Sequence, residues 1–255
     1  MLAADLDALL APLRAKPSRA GILTDFDGTL SEIVDHPDDA RPLDGVVEVL
    51  GELAGRYGRV AVISGRPVEF LAAHLPGALL LSGLYGLQVV EAGERQDHPG
   101  ALEWGAAIDD VVAAAAHGPE GMGVESKGLS LTLHFRQRPA IEEVVRAWAT
   151  EQAIRTGLDL RAAKMSFELH PPIDADKGTA VDAMAEGLEA VCFLGDDVGD
   201  LPAFEALGRL RRDGLYTVRL AVRSGEVPDE LLDEADAVLD GPAAALDVLR
   251  RLAAV

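Results

Sequence analysis

Five short apolar runs recur along the chain: GILT (21–24), RVAVIS (59–64), AVCFLG (190–195), YTVRLAV (216–222) and DAVLD (236–240). Few polar residues interrupt them, which is the pattern of strands buried on both faces of a parallel sheet. Apolar residues at helical spacing predict helices at 43–58, 67–75, 176–188, 200–210 and 242–254. Strands alternating with helices predict an α/β fold, a doubly wound parallel-sheet core of Rossmann-like form. At the amino end Leu6, Leu9, Leu10 and Leu13 repeat at helical spacing, predicting an amphipathic surface helix. Asp5 and Asp7 interrupt the bare hydrophobicity that a secretory peptide requires, so a cytoplasmic protein is expected.

The rhythm breaks in the middle of the chain. The pattern there reads helix (102–116), strands (123–135), helix (139–156) and strands (158–170), and GVESKGLSLTLHFR alternates as an antiparallel strand pair with one polar face does. An inserted α+β cap domain is expected at 100–171, a lid on a core made of 1–99 and 172–255. No apolar run reaches the length of a membrane-spanning helix.

Composition narrows the partners. Among 255 residues, 43 acidic and 23 basic side chains give a formal charge of −20, which excludes nucleic acid and anionic membrane as natural partners. An anionic substrate therefore needs a local positive pocket. Cys192, the one cysteine, lies in a strand-like run and is expected to pack in the core, leaving no disulfide framework or thiolate metal site. Lysine is scarce, present only as Lys16, Lys127, Lys164 and Lys177, and asparagine is absent. A lysine in such a chain marks a place where a compact point charge is useful.

The chemistry concentrates where apolar runs end. In GILTDFDGTL, Asp25 and Asp27 follow a strand, a pattern open to a metal site with a nucleophile, a turn cap, or plain solvated charge. FLGDDVGD repeats it with Asp196, Asp197 and Asp200, and two acidic strand ends in one parallel sheet can converge on a single Mg²⁺ through oxygen ligands alone. RVAVISGR brings Ser64 to another strand end just before a helix, where it can cap that helix or bind an anion. Lys177, in DADKG at a further helix start, can hold a phosphate and a carboxylate together or lie solvated at the surface.

In this order, DFDGTL, ISGR, DKG and GDDVGD resemble the haloacid-dehalogenase superfamily of phosphohydrolases. The resemblance covers about 20–95 and 172–255, and the insertion looks like that superfamily's second type of cap. It implies Asp25 as nucleophile, Asp27 as acid/base, and Ser64 and Lys177 as phosphate-positioning catalytic groups. It also implies Mg²⁺ held by Asp25, Asp196 and the backbone carbonyl of Asp27, with Asp197 and Asp200 behind them orienting waters and Lys177. Gly28, Thr29, Gly65 and Arg66 fall within the same motifs and are expected at the substrate.

A narrower resemblance, to the trehalose-6-phosphate phosphatase family, rests on SGLYGLQ (82–88), VESKGLSLTLHFR (124–136) and KMSFELHP (164–171). It implies hydrolysis of a sugar phosphate by a monomer, with Glu125, Lys127, Arg136, Lys164 and Glu168 supplying the charged groups that sugar hydroxyls need. Glu125, Lys127 and Arg136 also suit cross-strand surface pairs, and His134 and His170 suit packing. The chain departs from the family pattern twice, with GLYG in place of Gly-X-His-Gly and GDDVGD in place of a Thr-Asp-Glu version. The other readings are a phosphatase for a different sugar phosphate (sucrose phosphate or mannosylphosphoglycerate), a phosphosugar mutase, or a silent sugar-phosphate sensor.

Overall fold

The computed structural model describes residues 3–34, 36–163, 165–225 and 227–254. They divide into two compact units, Met1–Gln96 with Ala175–Val255, and Asp97–Asp174. In chain order the first unit opens with α1 (Ala3–Ala15), β1 (Ala20–Thr24), α2 (Val46–Ala54), β2 (Arg59–Ile63) and α3 (Val68–His74). β3 (Leu80–Gly83), β4 (Gln88–Glu91) and β5 (Glu94–Asp97) complete its first half. The second unit holds α4 (Pro99–Leu102), α5 (Gly105–Ala115), β6 (Gly123–Ser126), β7 (Leu131–His134), α6 (Glu142–Thr156), β8 (Asp159–Ala163) and β9 (Ser166–His170). The first unit resumes with α7 (Lys177–Ala185), β10 (Ala190–Gly195), α8 (Leu201–Arg212), β11 (Tyr216–Val222), α9 (Asp229–Glu234), β12 (Ala237–Leu239) and α10 (Pro242–Ala253).

Eight strands form one sheet in the order β12-β11-β10-β1-β2-β3-β4-β5. From β12 to β3 every pairing is parallel, and β4 turns back antiparallel on β3. Alternate side chains of the central strands feed two apolar layers. Ile22, Val62, Cys192 and Leu194 pack on one face with residues of α1, α2 and α10, whereas Leu23, Ile63, Val191 and Phe193 pack on the other with residues of α7, α8 and α9. This two-sided burial explains why the strand sequences lack a polar alternation. Cys192 sits in the first layer with burial pushing its thiol pKa up to about 12, so it serves as a small core residue.

In the second unit the sheet order is β6-β7-β9-β8, antiparallel throughout. Leu131, Leu133, Phe167 and Leu169 form its core with Ile108 and Val111 of α5 and Val145 and Ala149 of α6. The other face carries the polar half of the alternation.

Several elements differ from the sequence pattern. The helix expected at 43–58 is confined to Val46–Ala54, because Gly45 takes a left-handed conformation (φ 94°) and Gly58 binds back to the Pro17 carbonyl at 2.9 Å. The helix expected at 102–116 is two, α4 and α5, interrupted at Glu103 and Trp104. β3, β4 and β5 escape the apolar criterion: each has four residues, and β5 is a largely exposed edge strand reading ERQD.

Phe193 is fully buried in the second layer, edge-on to Phe204 at a ring-centroid distance of 6.3 Å. Phe193→Ala should lower the unfolding free energy by about 3–5 kcal/mol, the range for emptying an aromatic core site. Ile154→Ala, at a position 81% exposed on α6, should change it by less than about 0.5 kcal/mol. Chemical denaturation of both variants checks the contrast.

Candidate active site

Chain order reverses between β1 and β10: β1, β2 and β3 run outward on one side, and β10, β11 and β12 on the other. The carboxyl ends flanking such a reversal form the crevice where open α/β sheets bind ligands. Asp25 and Asp196 stand there, one residue beyond β1 and β10 respectively. The Asp25 amide extends the ladder, donating to the Leu194 carbonyl at 2.8 Å, so its side chain is aimed by the sheet itself.

Lys177 supplies the charge that makes this crowding tolerable. It is the first residue of α7, whose start is fixed by a capping box in which the Asp176 carboxylate accepts from the Thr179 amide and the Thr179 hydroxyl accepts from the Asp176 amide. Its buried ammonium lies 2.8 Å from Asp25 Oδ1 and 2.6 Å from Asp200 Oδ1. The other oxygen of Asp200 accepts from the backbone amides of Asp196 (2.8 Å) and Asp197 (3.1 Å), so Asp200 locks Lys177 to the end of β10. Asp25, Asp196 and Asp200 are all buried, each offering an oxygen within 4.8 Å of the others'.

Burial raises the Asp25 pKa well above its usual range, with Lys177 opposing and Asp200, Asp197 and Asp196 reinforcing the rise. Burial, then repulsion from Asp200 and Asp197, pushes Asp196 up to about 7, and burial opposed by Lys177 leaves Asp200 at about 6. For Lys177 burial acts downward, but Asp200 and Asp25 outweigh it and the pKa is raised, so the amine stays charged. One lysine does not neutralise this cluster. An all-oxygen, buried and net-negative donor set fits a hard divalent cation. Gly28 completes the cradle: with φ at 72°, it sits so close that a Cβ there would lie 2.0 Å from Asp196 Oδ2. Thr29 donates to Asp196 Oδ1 at a long 3.4 Å.

The hydroxyl of Ser64, just past β2, is buried and accepts the Arg66 amide at 3.2 Å. Arg66 reaches across to Asp27, binding both carboxylate oxygens at 2.7 and 2.8 Å. The Asp27 side chain thus stands apart from the buried cluster, paired with the arginine that the resemblance leads us to expect at the substrate. Four features here go beyond what the motifs predict. Leu84, Tyr85 and Gly86 take positive φ in succession (50°, 58° and 102°), and the Leu84 and Tyr85 amides bind the Arg66 and Ser64 carbonyls. The Tyr85 ring packs so tightly on Gly65 that a Cβ there would meet its hydroxyl at 2.6 Å, and it also passes near Gly199. Gln88 Oε1 accepts the first amide of α3, from Val68, at 3.1 Å. Ser224 hydrogen-bonds Asp196 and lines, with Gly28, Glu32, Arg223 and Gly241, a cavity of about 360 Å³. GLYG and Gln88 both fall within SGLYGLQ (82–88), although neither packing role is legible there, whereas Ser224 carries no signal beyond its type.

In the second unit the register sets Glu125, Thr132, Glu168 and Arg161 in one row across the sheet, opposite the helices. Glu168 is buried, accepts the Ser130 hydroxyl at 2.7 Å and pairs with Lys127 at 3.7 Å. Glu125 meets His134 Nε2 at 2.9 Å, a cross-strand contact of the kind that the alternation allows. Thr132 Oγ1 is buried with no hydrogen-bond partner among the described residues. Arg136 lies beyond the end of β7, half-buried, and Lys164 lies outside the described residues.

A doubly wound sheet with a lysine-braced acidic cluster at its switch point, interrupted by an α+β unit, defines a Rossmann-like core with an insertion. The chain belongs to the trehalose-phosphatase family, whose model matches residues 23–231. It is 35% identical over 225 residues to the trehalose-phosphate phosphatase of Mycobacterium ulcerans (strain Agy99), covering 80% of this chain and 55% of that protein. With that of Mycobacterium avium (strain 104) the identity is 32% over 254 residues, covering 91% and 61%. The chain therefore spans little more than half the length of the curated relatives it matches. Its fold superposes on the C-terminal domain of C. albicans trehalose-6-phosphate phosphatase with a TM-score of 0.78 at 24% identity, covering 98% of this chain and 97% of that one. A trehalose-6-phosphate phosphatase related protein gives a TM-score of 0.76 at 22% identity, covering 92% and 97%.

The raised carboxyl pKa values set a pH dependence. Unfolded aspartates titrate near 3.8 while Asp196 holds its proton to about 7, so between these limits the unfolded state binds fewer protons and stability falls as pH rises. In chelator, the melting temperature of the native chain should fall more steeply from pH 4 to pH 8 than that of Asp196→Asn, and Mg²⁺ should restore the native chain more than the variant. Parallel pH slopes with no Mg²⁺ effect on either would remove the cluster as a cation site.

Proposed function

We propose that this chain is a Mg²⁺-dependent phosphatase of the haloacid-dehalogenase type that hydrolyses trehalose 6-phosphate to trehalose and phosphate through an aspartyl-phosphate intermediate. The observation that carries the reading is the placement of Asp25 at the sheet's switch point, buried against Lys177 at 2.8 Å, in a chain of the trehalose-phosphatase family. Lys177 opposes the burial that raises the Asp25 pKa, and a bound divalent cation would favour the ionised, nucleophilic carboxylate further. The same ammonium offsets the charge of an arriving phosphoryl group.

In this mechanism an oxygen of Asp25 attacks phosphorus as the bond to the sugar oxygen breaks. Asp27 gives that oxygen its proton, freeing trehalose. Water then attacks the phosphorus, losing a proton to Asp27, and the bond to Asp25 breaks to release phosphate. The Ser64 hydroxyl and the neighbouring Gly65 amide donate to phosphoryl oxygens, while Lys177 fixes the attacking carboxylate. Asp25, Asp196 and the Asp27 carbonyl would hold Mg²⁺, which supplies charge neutralisation between carboxylate and phosphate. Asp200, whose oxygens already serve Lys177 and two backbone amides, orients rather than ligates.

Sugar recognition is assigned to the second unit, read as the cap. Its polar sheet face, with buried Glu168, Lys127 and the orphan hydroxyl of Thr132, offers the charged acceptors and donors that a polyol needs. A charged sugar phosphate does not cross a bilayer unaided, so the reaction is assigned to the cytoplasm.

Phosphate release with Mg²⁺ should be much faster from trehalose 6-phosphate than from sucrose 6-phosphate, mannosylphosphoglycerate or glucose 6-phosphate, and should leave free sugar rather than an isomeric sugar phosphate. Asp25→Asn should lower kcat on the preferred substrate at least about a thousandfold with the chain still folded, since an amide cannot form the acyl phosphate. Residual turnover within tenfold of the native rate would place the nucleophile elsewhere.

Glu168→Ala should reduce kcat/KM for trehalose 6-phosphate by roughly tenfold to a thousandfold, about 1.4 to 4 kcal/mol, the cost of losing charged hydrogen bonds and stranding a buried partner. Hydrolysis of 4-nitrophenyl phosphate, which has no sugar to grip, should fall far less. Equal losses on the two substrates would make the Glu168 network structural.

A further inference from the structure

Resting on the reading above, we infer that Arg66 is a positioning residue for the leaving-group proton donor: it holds the Asp27 carboxylate in place and does not itself bind the phosphate. The guanidinium meets Asp27 as a fork on a fork, Nε to Oδ2 at 2.8 Å and Nη2 to Oδ1 at 2.7 Å. Its remaining terminal nitrogen, Nη1, donates to the Pro37 carbonyl at 2.6 Å, and its flat face lies over the Phe70 ring at 4.4 Å. Both ends of the residue are therefore tied, since the Arg66 amide donates to Ser64 Oγ and its carbonyl accepts the Leu84 amide.

The asymmetry of burial says which partner holds the other. The Arg66 side chain is 13% exposed and Asp27 37%. Asp27 sits on a turn just before the left-handed Gly28, and among the described residues its carboxylate has, beside the Arg66 fork, no brace comparable to those on Asp25 and Asp200. Left alone it would sample several rotamers, and a proton donor displaced by an ångström loses much of its effect. The fork selects one orientation, which a lysine's point charge cannot do. Residues 64–66 then set two things at once: the hydroxyl that faces the phosphate, and the direction of the carboxylate that faces the departing oxygen.

The test separates leaving groups. A nitrophenolate departs without protonation, whereas a sugar alkoxide needs a proton. For Arg66→Ala and Arg66→Lys, kcat on trehalose 6-phosphate should fall about tenfold to a thousandfold with KM changed by less than about threefold, the penalty expected for a misplaced acid. The loss on 4-nitrophenyl phosphate should be several times smaller, matching the substrate pattern of Asp27→Asn. Adding Arg66→Ala to Asp27→Asn should cost little more, because the residue that it positions is already disabled. Thermal melting of each variant checks that the chain remains folded, and Arg66→Lys serves if Arg66→Ala does not fold. Equal losses on both substrates, a rise in KM with weaker inhibition by inorganic phosphate, or additive losses in the double variant would overturn the inference and make Arg66 a phosphate ligand. Failure of the native chain to release phosphate from either substrate would instead overturn the parent reading, and this one with it.

Discussion

Everything at the switch point depends on one buried ammonium. Two parallel strands deliver Asp25 and Asp196 to neighbouring ends, and the turn after β10 adds Asp200, so buried carboxylates are forced together. Lys177 is the counter-charge, and its own position is secured by the helix that it starts. The balance is incomplete: burial first, and repulsion among the carboxylates after it, raises the pKa values of Asp25, Asp196 and Asp200. A crowd of buried carboxylates with a single ammonium among them is a donor set that a hard divalent cation fits.

The scaffold transmits this constraint through glycine. Gly195 packs so closely on Asp200 that a Cβ would come within 2.4 Å of its carboxyl carbon, and a Cβ on Gly178 would come within 2.5 Å of the Pro202 carbonyl oxygen. β10, α7 and the start of α8 are thus drawn into contact around the lysine. The aspartates would lose their alignment if any of these backbones moved outward by the width of a methyl group.

The core was legible because its physics is local. Strands buried on both sides must be apolar along their whole length, so β1, β2, β10 and β11 announce themselves, and the helices between them follow from spacing. β5 was not legible, since ERQD has nothing to bury. The same division runs through the site. Asp25, Ser64, Lys177 and Asp196 are marked by where they fall relative to strand ends and helix starts. The Asp27–Arg66 pair and the Gln88 cap join residues far apart in the chain, and no spacing rule reports such contacts. Glu168 shows the limit from the other side: alternation fixes the face on which it lies but not that Ser130 and Lys127 will enclose it.

The contact between Gly65 and Tyr85 ties two loops to each other. With the phenol seated where a methyl at 65 would have to go, neither position can change freely while the other stays the same. A smaller ring at 85 would open room at 65, and a side chain at 65 would evict the ring. Gly65, next to Ser64, and Tyr85, in the loop twenty residues later, thus form one packing unit that joins the serine turn to the turn after β3.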